Sequence, residues 1–401
     1  MARSSKTVYP ILMAVSIGHL FNDFFQAIIP AIYPLLKTNY DLSFTQIGLI
    51  TLCFQLSSSI FQPVVGLYTD KHPQPYSQLI ALTFSMIGVV LLAYAPGFTS
   101  ILLAVSMVGI GSSIFHPESS RIAFLAAGGK RSLAQAIFQL GGNTGTALGP
   151  LLIAWFILPN DQRYLLWFLI FGFMAQGVFF YIGAWYKRIL EYRLKNVGKH
   201  MIPVPALRNH KIAAAIILLL VLIFSKYIYI ASISSYFQFF TMEKFGISNV
   251  QAQIYLFYFL MAMAIGTIVG GALGDLVGRK FIIWFSVLGA APFALMLPHA
   301  DLFWTGVLIV IIGLIISSAF PSIIVYAQEL LPRKIGVVSG LFYGFAFGMG
   351  GLGSALLGWW ADHTSVAHVY GVCAYLPLLG IVAYFLPNMK KIRFVKSPAD
   401  V

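Results

Sequence analysis

Twelve stretches of roughly 20 apolar residues, separated by short polar connections, leave this 401-residue chain very few folds. They cover residues 9–36, 45–69, 77–95, 99–123, 132–158, 163–186, 211–240, 249–273, 281–297, 302–328, 335–360 and 366–386. A run of about 20 apolar residues is the length of a membrane-spanning helix. In hydrocarbon the backbone must satisfy its own hydrogen bonds, so helices are the expected form. Only 9% of the residues are charged and the mean hydropathy is +0.86, so a water-soluble fold could not cover this much apolar surface. The expected class is an all-α membrane protein with twelve transmembrane helices.

Most connections are too short for a catalytic domain. Only 187–210 is long enough to be a linker, and it is basic. The expected organisation is therefore a six-helix half at 1–186, the linker at 187–210, a second half at 211–390 and a tail at 391–401. The net charge of +13 reads as topology rather than as an affinity for nucleic acid. Of 25 Lys and Arg residues, three (Lys37, Arg163, Lys244) fall in outer loops and one (Lys226) lies mid-span. The remaining 21 fall on the opposite side. By the positive-inside rule both termini are cytoplasmic. The first run is too long for a cleaved leader and holds Asn22 and Asp23. The two cysteines, Cys53 and Cys373, lie in apolar spans and imply no disulfide framework.

Ionisable residues inside the spans recur on every third one. His19 and Asp23 are in the first, His116, Glu118 and Arg121 in the fourth, Lys226 in the seventh, and Glu329 closes the tenth. Such groups cost several kcal/mol unless they face protein or water, and they mark ion and substrate pathways. His19, Asn22, Asp23, Gln26 and Pro30 share one narrow arc of the first helix. Asp23 is the leading proton carrier, with Glu118, His116 and His19 as further candidates; the bland alternative is interhelical glue. Arg121 and Lys226 are candidate anion binders, since a guanidinium matches the oxygens of an oxyanion in a two-point fork and an ammonium supplies a compact charge. Glu118 and Arg121, three apart, can also pair locally. Ser225, Tyr229, Ser232 and Tyr236 form a polar stripe on the Lys226 helix. Glu329 reads as a solvated or loop-pairing carboxylate.

The chain repeats itself. Gly66 to Gly271, Asp70 to Asp275 and Ser112-Ser113 to Ser317-Ser318 are all offset by 205 residues, and Leu148-Gly149 recurs at Leu352-Gly353 with an offset of 204. Duplicated parallel halves are a standard transporter plan. The second element, Gly271-Ala-Leu-Gly-Asp275-Leu-Val-Gly278-Arg279-Lys280, resembles the signature loop of the major facilitator superfamily. The first copy departs from it after Lys71, where His72-Pro73-Gln74-Pro75 replaces the Gly-Arg portion. More specifically, the chain is similar to the fosmidomycin resistance group of drug exporters. That likeness rests on His19-Leu-Phe-Asn22-Asp23, on Gly111 through Arg121, on Phe138-Gln139-Leu-Gly-Gly-Asn143, on Ser225-Lys226-Tyr227 and on Gln328-Glu329-Leu-Leu-Pro332.

The resemblance implies proton-coupled efflux across a cytoplasmic membrane by alternating access, through a cavity lined by helices 1, 4, 7 and 10. It implies an anionic substrate, a phosphonate antibiotic among them, with protons and the lipid bilayer as the other partners and a monomer as the functional unit. Asn22, Gln26, Gln139, Asn143 and Tyr229 join Arg121 and Lys226 as expected substrate contacts. Asp70, Gly271, Asp275 and Arg279 are expected to gate. An uptake symporter or facilitator for a small anionic metabolite would use the same cavity.

Other readings fail on spacing. Gly348-Met-Gly350-Gly351-Leu-Gly353 matches a dinucleotide fingerprint, but no strand precedes it. A phosphate-cradling loop is absent, since Phe124 stands where its first glycine belongs. A membrane-embedded enzyme would need clustered catalytic groups or metal ligands, and none stand at suitable spacing. No cofactor and no metal are expected. Glycines recurring every four residues at 141–149, 266–278 and 336–348 read as helix-packing faces.

Overall fold

A computed structural model describes residues 6–42, 44–157, 160–195 and 201–398. Residues 196–200 of the expected linker, with Arg3 and the last three residues of the tail, lie outside it. The described chain is nearly all helix, and each expected span is found as one helix or a broken pair.

The breaks follow proline and glycine. The first span is α1 (Tyr9–Ala31) and α2 (Tyr33–Tyr40), parted just after Pro30. The next four are single helices: α3 (Phe44–Lys71), α4 (Ser77–Ala93), α5 (Phe98–Ala126) and α6 (Arg131–Phe156). Pro117 does not interrupt α5. The sixth span opens as a 3₁₀ turn, Gln162–Phe168, in which the Arg163 backbone N–H donates to the Asp161 side chain, and continues as α7 (Leu169–Lys195). Then come α8 (Asn209–Phe245), closed by Gly246 in the left-handed region, and α9 (Asn249–Val277), opened by a Ser248–Gln251 capping box. The ninth span divides into α10 (Arg279–Leu288) and α11 (Ala291–Met296), with Pro292 in the first turn of α11. The tenth divides into α12 (Leu302–Ser317) and α13 (Phe320–Leu330), with Pro321 at the restart. Last are α14 (Ile335–His363) and α15 (Val366–Cys373), followed by a 3₁₀ helix at Leu376–Phe385. A small sheet pairs β1 (Met201–Pro205) with β2 (Phe394–Pro398).

Ten of these spans are long and apolar enough to cross a membrane. Among the described residues the exceptions are α4, which is shorter, and α6, whose Gln135, Gln139, Asn143 and Thr144 lower its hydropathy. Large apolar side chains such as Ile60, Phe173, Ile217, Leu276 and Trp359 are exposed, as lipid-facing helices require. Both cysteines are free.

The chain forms two compact units. Unit 1 is Met1–Val204 with Leu331–Gly344 and Lys396–Val401; unit 2 is Pro205–Leu330 with Phe345–Val395. The division therefore falls inside 187–210, but the start of α14 belongs with unit 1. Glycine explains why. A Cβ at Gly336, Gly340 or Gly344 would stand 2.9, 2.2 or 2.6 Å from the carbonyl oxygens of Gly66, Gln62 or Ser59, so this stretch lies directly on α3. Elsewhere in unit 1, α6 presses on α1: a Cβ at Gly141 or Gly145 would stand 1.8 or 2.0 Å from the Ser16 or Leu20 carbonyl oxygen. In unit 2 the same device seats Gly266 and Gly270 of α9 on Leu314 and Ser318. These approaches are open only to glycine. The core of unit 2 is a block of Ile233, Phe237, Phe240, Phe259, Ile309, Ile312 and Tyr370.

Candidate functional site

In unit 1 the polar arc of α1 meets α5 and α6. Asp23 is the hub. Its Oδ1 accepts from Asn22 Nδ2 at 2.9 Å and from Gln26 Nε2 at 2.8 Å. Its Oδ2 lies 3.2 Å from His19 Nε2, one helical turn back, and its Oδ1 lies 3.6 Å from His116 Nε2 on α5. Gln26 is tied onward, its Oε1 accepting from Ser112 Oγ at 3.1 Å. Both imidazoles are fully buried, while Asp23 keeps 14% side-chain exposure, which leaves the hub one open side.

The two rings are oriented from behind. His19 Nδ1 lies 2.8 Å from the Phe138 carbonyl oxygen, and His116 Nδ1 lies 3.0 Å from that of Ser112. A carbonyl only accepts, so each Nδ1 carries the hydrogen and each Nε2 of a neutral ring offers a lone pair. Both lone pairs then face a carboxylate. Such a convergence of acceptors is favourable only when a proton or another cation sits among them. Aromatic rings close the surroundings: Phe138 stacks on His19 at 4.1 Å between centroids, and Tyr343 lies 5.4 Å from His116.

A second cluster sits at the end of α3. Arg121 Nη1 donates to the Thr69 carbonyl at 2.5 Å, and Nη2 donates to Thr69 Oγ1 at 3.0 Å and to Asp70 Oδ1 at 2.6 Å. The same Nη2 stands 3.4 Å from Glu118 Oε1. Asp70 in turn accepts from the backbone N–H of Gly336 at 2.9 Å and of Val337 at 2.8 Å. A carboxylate at the first turn of α14 satisfies orphan donors and meets the positive end of the helix dipole. The guanidinium of Arg121, an expected anion binder, meets Thr69, Asp70 and Glu118 beside the end of the first loop copy.

In unit 2 the signature loop keeps its own arginine. Arg279 Nη2 donates to Asp275 Oδ1 at 3.1 Å, and Nη1 donates to Glu329 Oε2 at 2.8 Å. Glu329 is therefore a partner of the loop. Gly271 is buried within α9, and Gly278 takes a left-handed φ of 110° between α9 and α10. Lys390 Nζ donates to the Leu276 and Val277 carbonyls, closing the C-terminal end of α9.

The remaining expected residues are scattered. Gln139 Oε1 accepts from Tyr343 at 3.3 Å. Asn143 is half-buried on α6. Tyr229 lies within the apolar core of unit 2, and its hydroxyl has no hydrogen-bond partner among the described residues. Lys226 is 2% exposed. Its Nζ has no hydrogen bond or ion pair among the described residues and stands 5.6 Å from the Phe320 ring centroid. Sequence reasoning missed the Phe138 and Ser112 carbonyls, Tyr343 and the pairing of the two histidines. Two histidines and a carboxylate within apolar spans were the signal available.

A family model described as Major Facilitator Superfamily matches residues 15–354. The chain belongs to the major facilitator superfamily. The fosmidomycin resistance protein of Escherichia coli (strain K12) is 55% identical over 96% of this chain and 94% of its own length. A Bacillus subtilis (strain 168) protein, named as the uncharacterized MFS-type transporter YfnC, is 43% identical over 96% and 95%. The solved structure of the E. coli fucose:proton symporter FucP covers 95% of this chain and 99% of that one, with a TM-score of 0.73. At 14% identity that likeness is one of fold. This superfamily member is a multi-pass membrane protein with the twelve-helix fold.

Proposed function

We propose that this chain is a secondary active transporter that exports anionic, fosmidomycin-like phosphonates in exchange for protons, by alternating access. The observation that carries the reading is the convergence of His19 Nε2 and His116 Nε2 on the Asp23 carboxylate, inside the membrane and beside one partly open side. The near relative named for fosmidomycin resistance supports the substrate class and the direction. In this reading the coupling proton is held among Asp23, His19 and His116, with Asn22 and Gln26 holding the carboxylate in place. Glu118, buried against Arg121, is the second proton candidate.

Lys226 supplies attraction for the anion; a buried ammonium with no carboxylate beside it among the described residues favours an incoming negative charge. Gln139 and Asn143 are retained as solute contacts. Arg121 moves from solute binding to gating, where with Asp70 it latches the start of α14. Asp275 and Arg279 form the second latch, with Gly271 beside it on α9. Release of a latch costs its charge-assisted hydrogen bonds, so solute or proton binding must offset that cost for access to change sides. Both termini and the 187–210 segment lie in the cytoplasm in this reading, and the membrane is a bacterial inner membrane.

The test is transport in proteoliposomes with an imposed pH gradient. Wild-type protein is expected to accumulate a labelled phosphonate against its gradient, and Asp23→Asn to lose that accumulation while keeping counterflow. Glu118→Gln in the same two assays ranks the second candidate. Accumulation by both variants at the wild-type level would place coupling elsewhere, and uptake toward the cytoplasmic side would reverse the direction.

A further inference from the structure

We propose that His19, Asp23 and His116 form a binding site for one divalent transition-metal ion of the Zn2+ or Co2+ class. One ligand atom from each residue lies within 4.8 Å of the other two. The closest approaches are 3.2 Å from His19 Nε2 to Oδ2 and 3.6 Å from His116 Nε2 to Oδ1. Tetrahedral zinc with bonds of ~2.0–2.1 Å sets its ligand atoms about 3.3 Å from one another, within the span of those two separations. Two imidazoles and a carboxylate are a borderline-soft donor set suited to zinc, cobalt and nickel rather than to calcium or magnesium.

The outer contacts are those of a metal site. Each Nδ1 is held by a backbone carbonyl, of Phe138 or of Ser112, which fixes the ring and aims its Nε2 inward. Asn22 and Gln26 both donate to Oδ1 and hold the carboxylate with Oδ2 toward His19 Nε2 and Oδ1 toward His116 Nε2. A single proton can bridge only one imidazole to the carboxylate, whereas a divalent ion engages all three groups at once.

The packing of α6 on the ligands is a separate observation. A Cβ on Gly142 of α6 would stand 2.5 Å from His19 Nε2 and 2.6 Å from Asp23 Oδ2. Any larger residue at position 142 would therefore displace two of the three donor groups. Three protein ligands leave a fourth position for water. A bound ion would tie α1 to α5 and would take the lone pairs that the coupling proton needs, since metal and protons compete for the same atoms. That last consequence rests on the proposed function; the binding does not.

The experiment is metal binding to the purified, tag-free full chain in detergent after chelator treatment. The probes are Zn2+, counted by elemental analysis, and Co2+, followed by its visible absorption. One equivalent is expected for the wild type, with a four-coordinate Co2+ spectrum. His19→Gln, His116→Gln and Gly142→Ala are each expected to weaken binding by at least ~100-fold, beyond what loss of an outer-sphere contact costs. His72→Gln and His363→Gln, away from the cluster, should bind as the wild type does. Asp23→Cys keeps a ligand and should add a thiolate-to-cobalt absorption band, a signal that a misfolded variant does not give. Absence of a bound equivalent in the wild type would overturn the proposal. So would undiminished binding in both histidine variants, or an Asp23→Cys protein without the new band. None of these measurements requires transport, so they stand or fall apart from the export reading.

Discussion

The two copies of the signature loop reach the same kind of ion pair by different routes. Asp70 and Asp275 are 205 residues apart and each closes a long helix. In unit 2 the arginine is the loop's own: Arg279, four residues after Asp275, at 17% side-chain exposure. In unit 1 the loop has lost that arginine to His72-Pro73-Gln74, and Arg121 arrives from α5 at 6% exposure. Substituting a distant arginine for a local one moves the pair deeper and draws Glu118 and Thr69 into it. The local version is a partly buried latch whose arginine keeps more contact with solvent than Arg121 does. The borrowed version is a buried network in which no member can be removed without stranding another. A parallel contrast holds for the units as wholes. Among the described residues, the buried histidine, acidic and basic side chains of unit 1 are His19, His116, Glu118 and Arg121, whereas in unit 2 only Lys226 is of that kind.

If burial makes the difference, Arg121→Met should be the most damaging change in either loop. It leaves Asp70 and Glu118 without their cation at a cost of about 3–5 kcal/mol, visible as lost folded protein or a lower midpoint in thermal unfolding. Arg121→Lys should recover little of this, because an ammonium cannot reach Thr69 and Asp70 as a fork does. A mild phenotype in Arg121→Met would end the comparison.

Asp70→Asn should come next, at about 1–3 kcal/mol, since an amide can still accept from one α14 N–H but no longer pairs with Arg121. Lys226→Met should move the other way. Removing a buried cation that has no counter-charge among the described residues should leave thermal stability unchanged or raise it by about 1–4 kcal/mol. The same variant should bind anionic solute more weakly, which direct binding measurements would detect. Lower stability in that variant would mean that Lys226 is structural.

The smallest effects belong to unit 2. Asp275→Asn and Glu329→Gln should each cost about 1 kcal/mol or less, because their pair is nearer solvent. The comparison sharpens further in a double replacement, Pro73→Gly with Gln74→Arg, which restores the unit 2 pattern in unit 1. In the Arg121→Met background it should return part of the lost stability, and in the wild type it should change little. No rescue would show that position, not charge alone, defines the unit 1 latch.

Much of this molecule is legible along the chain. The twelve spans follow from apolar content, the broken ones from Pro30, Pro292 and Pro321, and the duplication from the shared offset. Those properties depend on each residue and its near neighbours, because burial in lipid sums locally and proline acts on its own turn. The charged residues that matter were legible as exceptions within apolar runs. Their partners were not. His19 and His116 lie in α1 and α5, and nothing in their spacing brings their Nε2 atoms onto one carboxylate. That depends on the rotation of two helices about their axes, set by contacts such as Gly141 on Ser16 and Gly145 on Leu20. Arg121 makes the same point. Its sequence neighbours offered Glu118, three residues away, as a local partner, but the end of α3, packed beside it, supplied Thr69 and Asp70 as well. Sequence by itself determined that this chain lies in a membrane as twelve helices with a few buried charges. Tertiary structure alone decided which charges meet, because a side chain's partners come from whichever helix lies within hydrogen-bond reach, and that reach is a few ångströms in space with no counterpart along the chain.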